Sequence, residues 1–96
     1  MRESEFQRDL IRAIKMRFDG CFVIKNDANY MQGIPDLLVL YKEHWAMLEC
    51  KKSCTASRRP NQEFYVSAFN DMSYAAFVYP ENKEEVLNEL ERAFEA

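Results

Sequence analysis

A single α/β domain, with a central mixed sheet flanked by helices, is the fold this sequence predicts. Three observations carry that expectation. Ninety-six residues leave room for one hydrophobic core and not two, so the domain spans residues 1–96. Hydrophobic patterning alternates between helix-like spacing and short apolar runs, giving the order α-β-β-β-α-β-α. Glycine occurs only at Gly20 and Gly33, each where the pattern changes, and no Pro/Gly-rich linker or repeat divides the chain.

From Glu3 to Phe18, the apolar residues Phe6, Leu10, Ile14 and Phe18 recur every four positions, with Ile11 beside them, which predicts an amphipathic helix. Asp19-Gly20 ends it, as glycine commonly does just past a helix. Cys21 to Ile24 is a short β-prone run, followed by a polar loop from Asn26 to Gly33. Asp36 to Tyr41 and Trp45 to Lys51 form two strands joined by a polar turn around Lys42-Glu43-His44, a β-hairpin. Lys52 to Pro60 is polar and basic and reads as a loop. Asn61 to Asn70 is helical, with Phe64, Tyr65, Ala68 and Phe69 as its apolar residues. Tyr74 to Tyr79 is a fourth strand closed by Pro80, and Glu84 to Glu95 a last amphipathic helix carrying Val86, Leu87, Leu90 and Phe94.

With 48% hydrophobic and 14% aromatic residues, a core can form without disulfide bonds. Cys21, Cys50 and Cys54 show no CxxC spacing; Cys50, Cys54 and His44 lack an evident fourth partner for zinc, so reduced thiols are expected. No apolar run approaches the roughly 20 residues that span a bilayer. The first residues are too polar for a secretory signal, so the expected location is the cytoplasm, with no membrane association. The net charge of −3 does not favour a phosphate-binding surface. Its distribution is uneven, however: six acidic and two basic residues lie from Glu81 onward, leaving eleven basic against ten acidic before it. A local basic face is compatible with that balance.

The hairpin carries the chemistry. With the turn centred near Glu43, antiparallel pairing sets Asp36 roughly opposite Cys50, flanked by Glu49 and Lys51. These two are separated by one residue on a strand and project to one sheet face. Two carboxylates and an ammonium therefore converge at the hairpin's open end. Such carboxylates can hold Mg²⁺ (or Mn²⁺), which polarises a phosphodiester and lowers the pKa of a bound water. Lys51 is suited to orienting that water or to stabilising charge on the phosphate. Alone, E-x-K is a common surface salt-bridge pattern; the preceding Gly33-Ile34-Pro35 and the placement on facing strands distinguish this one. Glu3 lies on the inward stripe of the first helix and so either looks into the site or frays into solvent, and a Ser4 cap with Gln7 would leave it outside the helix. Lys25, Lys52, Arg58 and Arg59 flank the proposed site as phosphate contacts, although a solvated loop accounts for the two arginines equally well. Asn26, Asn29, Tyr30 and Gln32 lie in the loop leading to Asp36, where they are expected to touch the DNA backbone or stack on bases, with Asn26 counted as a DNA contact and ordinary loop packing as the alternative for Tyr30. His44, in the turn, is too far from the open end to be a base. Trp45, Phe64 and Tyr65 are expected in the core or at a dimer contact.

Gly33-Ile34-Pro35-Asp36 followed by Glu49-Cys50-Lys51 resembles the signature of the PD-(D/E)xK nucleases, whose restriction-endonuclease-like core has the same element order. Within that superfamily the chain looks most like the stand-alone VRR-NUC domains found in phages and like Holliday-junction resolvases, over nearly its whole length. Glu3 with Gln7, Lys25-Asn26 and Gln62 are similar to further positions of those groups. The resemblance implies Asp36 and Glu49 as metal ligands with Glu3 assisting, Lys51 as catalytic and Gln62 beside the site. It implies a DNA endonuclease, selective for branched or junction DNA, and a homodimer, for which Phe69, Tyr74, Phe77 and Tyr79 could supply contacts, although core burial accounts for most of them without a partner. The loop before Gly33 has fewer glycines than VRR-NUC domains usually carry, and a weakly acidic charge is unusual for a resolvase; both bear on substrate more than on chemistry. The competing expectations are a non-catalytic DNA-binding module on the same fold and a protein that only binds other proteins.

Overall fold

The computed structural model describes residues 1–95. The elements are α1 (Glu3–Arg17), β1 (Phe22–Lys25), β2 (Leu37–Tyr41), β3 (His44–Cys50), α2 (Pro60–Met72), β4 (Tyr74–Val78) and α3 (Lys83–Glu95). They follow the expected α-β-β-β-α-β-α order. The four strands make one mixed sheet in the order β1-β2-β3-β4, antiparallel across the first two pairings and parallel between β3 and β4. Helix α2 is the crossover that the parallel pair needs. It begins one residue before the expected Asn61, because Pro60 supplies a helix-compatible φ at its first position, and it runs two residues beyond Asn70.

One sheet face carries the main core. Strand residues Leu37, Val39, Ala46, Leu48, Cys50 and Val78 share it, with Leu37 opposite Leu48 and Val39 opposite Ala46. The α1 stripe of Phe6, Leu10, Ile14 and Phe18 packs there, together with Val86, Leu87, Leu90 and Phe94 of α3. Phe18, Tyr41 and Phe94 close one end of this layer, with ring centroids 5.2–5.6 Å apart. The opposite face is built differently. Helix α2 packs on β3 and β4, using Val66 toward the sheet, while Tyr65, Phe69 and Trp45 form an aromatic ladder on its flank.

The hairpin register differs from expectation by one residue. Only Lys42 and Glu43 form the turn, with Lys42 at φ 56°, and His44 is the first residue of β3, paired with Tyr41. A shorter turn moves the pairing axis, so the ladder continues toward Asp36 opposite Glu49 and not Cys50. Asp36 itself precedes β2. Among the described residues, no helix is long and apolar enough to cross a membrane.

Candidate active site

Asp36 sits between a tight loop and the start of β2, and several bonds fix it there. The Asn26 side-chain amide donates to the Pro35 carbonyl at 2.9 Å, and the Asn26 backbone N–H donates to the Asp36 carbonyl at 2.9 Å. The Asp36 N–H donates to Glu49 Oε1 at 3.1 Å, and the Cys50 N–H donates to Asp36 Oδ2 at 2.9 Å. Each acid thus receives a backbone donor from the other's strand. Where the β2–β3 ladder gives out, the two carboxylates take over the cross-strand bonding.

Glu49 and Lys51 both lie on the α2 side of the sheet and are buried, Glu49 to 3% exposure. Gln62, in the first turn of α2, joins them. Its Nε2 donates to Glu49 Oε2 at 2.8 Å, and its Oε1 accepts from Lys51 Nζ at 2.8 Å and from the Arg59 N–H at 3.0 Å. Lys51 Nζ lies 3.8 Å from Glu49 Oε2. One amide therefore reads both charges and caps its own helix. The start of α2 is locked to the end of β3.

Burial and the Asp36 charge push the Glu49 carboxyl up to about 7, against a smaller opposing pull from Lys51. Asp36 is also raised, chiefly by burial, with the Cys50 N–H and Lys51 pulling the other way. Two adjacent acids partly withdrawn from water resist double ionisation. A cation that replaces the retained proton relieves both penalties. The donors are hard carboxylate oxygens, which match Mg²⁺ or Mn²⁺ and not a thiophilic metal. On that chemistry the residues fit the expected ion. Among the described residues, no three His, Cys, Asp or Glu side chains cluster closely enough to make a metal cage without other ligands. A site of two carboxylates completed by water and phosphate is the arrangement Mg²⁺ commonly takes.

The remaining expected residues divide. Glu3 is the first residue of α1 and lines the cleft with Asp36, Glu49, Lys51, Lys52, Arg59 and Gln62. Arg2, not Ser4, occupies the N-cap position, so Glu3 lies inside the helix, whereas Glu5 is paired with Arg2 at 3.0 Å. Lys52 and Arg59 border the cleft, but three expected DNA contacts do not. Lys25 lies at the end of β1, beside the loop, and Arg58 stands over the Phe77 ring with its guanidinium carbon 4.1 Å from the centroid. Asn26 turns its amide inward to Pro35 and to Met47 Sδ, so it positions Asp36 and is not free for phosphate.

A second lobe of the cleft lies across the two acids from Glu3. Asn29, Gln32, Gly33 and Asn61 line it together with Asp36, Glu49, Arg59 and Gln62. Gly33 has φ +88°, and a β-carbon there would lie 2.6 Å from Asn61 Cγ, so only glycine permits this approach of loop to helix. Asn61 went unnoticed in the sequence because nothing local distinguishes it from an ordinary first-turn asparagine. His44, at the far end of β3, stacks near Phe94 with centroids 6.0 Å apart. No protein-family model matches this chain, and no curated protein matches it.

Proposed function

We propose that this chain is a divalent-metal-dependent endonuclease of the PD-(D/E)xK kind that hydrolyses phosphodiester bonds in DNA, with branched DNA as its preferred substrate. The observation that carries the reading is the pairing of a half-buried Asp36 with a buried Glu49, beside a lysine held by Gln62. Burying one acid against a second, half-buried one is costly in a scaffold that has no use for them. Asp36 and Glu49 would hold Mg²⁺ or Mn²⁺, with Glu3 reaching the same cleft from the start of α1. Once bound, such an ion polarises the phosphate and makes a water acidic enough to attack near neutral pH. Lys51, aimed by Gln62, would donate to the phosphate oxygen on which charge develops. Lys52 and Arg59, on the cleft border, would take neighbouring phosphates and set the strand's course.

The test is an assay of plasmid, flap and four-way-junction DNA with Mg²⁺, Mn²⁺ or EDTA, run beside Asp36→Asn and Lys51→Ala. Divalent-dependent cutting is expected, most efficient on the branched substrates and reduced at least about 100-fold in both variants. Binding that persists in EDTA with no cutting under any metal would overturn the nuclease and leave a DNA-binding module. Neither binding nor cutting would favour a protein that acts only through protein contacts.

A further inference from the structure

The two lobes of the cleft share Asp36 and Glu49, but their walls differ in chemistry. Lys51, Lys52 and Arg59 line the lobe that holds Glu3, three cations that suit a run of phosphates. In the other lobe Arg59 is the only cation among the lining residues, and the side-chain amides of Asn29, Gln32, Asn61 and Gln62 make up most of the polar wall. A phosphate entering there meets two carboxylates against one guanidinium. A neutral group that both donates and accepts hydrogen bonds suits such a wall better. The lobe has a volume of about 280 Å³, near the lower limit of roughly 300 Å³ for ligand pockets, so it admits one ring system and not a duplex.

The loop and the start of α2 form this lobe together. The Asn29 N–H donates to Asp27 Oδ1 at 2.9 Å, which turns the loop and leaves the Asn29 side chain outside that bond. Gly33, at φ +88°, lets the same loop lie directly on Asn61. The Asn61 Oδ1 is buried there and has no hydrogen-bond partner among the described residues. Its side chain is only half-buried and lines the lobe, so a small turn about the Cβ–Cγ bond, a soft torsion in asparagine, presents that oxygen to a donor. A ligand N–H arriving there satisfies an acceptor that is otherwise costly to leave bare.

We infer that this lobe is a subsite for one unpaired nucleobase next to the phosphodiester held at Asp36 and Glu49, with adenine and cytosine preferred over thymine. DNA as the substrate rests on the proposed function; the base subsite is what the lobe adds. Asparagine and glutamine amides pair with base edges, and adenine and cytosine carry an amino donor where thymine carries a carbonyl. The lone acceptor of Asn61 distinguishes them. A base stacked in a duplex must leave the helix to reach such a wall, whereas one at a branch or on a single strand is already free. A preference for branched DNA then has a physical source. From sequence, Asn29 and Gln32 suit backbone and base equally; the charge of this lobe decides for the base.

The test is fluorescence anisotropy of the full chain in EDTA at low salt, where no cutting is needed, with strands about eight nucleotides long of dA, dC, dT or abasic sugar-phosphate. The dA and dC strands should bind about 10-fold tighter than the abasic strand and at least about 3-fold tighter than dT. Gln32→Leu, at an exposed loop position, should stay folded by circular dichroism and bring dA and dC to within about twofold of the abasic strand. Asn29→Ala should act in the same direction. Arg59→Ala should weaken all four strands alike, since it removes charge and not a base contact. Equal affinity of the wild-type chain for all four strands overturns the inference and leaves the nuclease reading intact, as does a preference for dT. Base-dependent binding by a chain that cuts nothing under Mg²⁺ supports the subsite and overturns the nuclease. No binding to any strand overturns the subsite.

Discussion

On the side of the sheet covered by α1 and α3, the strand residues Leu37, Val39, Ala46, Leu48, Cys50 and Val78 pack in one apolar cluster with the stripes of both helices, and among the described residues no carboxylate or amine is buried there. On the α2 side, the same strands present Glu49 and Lys51 at one end and a row of uncovered apolar residues at the other. One face is thus a finished core, and the other holds charge where burial is costly and grease where water is in contact. Natural chains depart from consistent patterning at sites of function, so the contrast separates the load-carrying layer from the working one. Both faces use the same β2 and β3, which lets the rigid layer hold the chemistry in register.

The largest expected effect comes from breaking the finished face. Leu90→Ala removes a wholly buried side chain of α3, in the core on the sheet face opposite Glu49. It should cost about 3 kcal/mol, lowering Tm by roughly 15 °C in thermal denaturation. Activity measured well below that Tm should be close to wild type. If Leu90→Ala lost activity while still folded, the two faces would not be separable in the way described.

A smaller effect should sharpen the other side of the comparison. The Glu49 carboxyl, ordinarily near 4.5, is raised to about 7 in the fold by burial and by Asp36. Between those values the folded chain keeps a proton that the unfolded chain releases. Stability from this group is therefore complete below about 4.5, is lost as pH rises toward 7, and changes no further above it. Asp36 is raised in the same direction, chiefly by burial. Thermal scans without metal should show Tm falling by about 5 °C between pH 5 and pH 8. Most of that fall should vanish in Glu49→Gln. Millimolar Mg²⁺ at pH 8 should raise the wild-type Tm and leave the variant's unchanged. A wild-type Tm that rises through this window would show that Glu49 ionises without penalty, and the argument for a cation there would lose its electrostatic footing.

How much of this was legible in the sequence follows from how local each signal is. The α1 stripe and the apolar faces of α3 are written in spacing within one element, so both helices could be placed to within a residue or two. Glu49 and Lys51 were legible because alternation along a strand fixes their shared face. Asp36 was assigned to the site, but its partner was misplaced by one residue, since register depends on whether His44 joins the turn or the strand. The inward turn of Asn26 could not be read, because its partners Pro35 and Met47 come together only after the sheet forms. The exposure of β1 was equally hidden. Phe22 and Ile24 look like half of an ordinary strand, and nothing in them tells that α2 will settle over β3 and β4 and leave them bare.

The smallest effect separates two adjacent arginines that sequence treats alike. Arg58 stands over the Phe77 ring on β4 and is absent from the cleft lining, whereas Arg59 borders both lobes beside the acids. Arg58→Ala should therefore act through packing, costing about 0.5–1 kcal/mol in stability, and should leave DNA affinity within about twofold. Arg59→Ala keeps the backbone N–H that caps α2 onto Gln62, so its fold should be little changed. What it removes is one cation near the site. It should weaken DNA binding and reduce the slope of log affinity against log salt by about 0.9, the counterion released per lost phosphate contact. Titrating both variants over a range of NaCl concentrations measures the difference directly. Equal slopes for Arg58→Ala and Arg59→Ala would mean that lying along the cleft does not decide which basic residue meets phosphate, and the contrast between working and structural residues would fail at the scale of a single peptide bond.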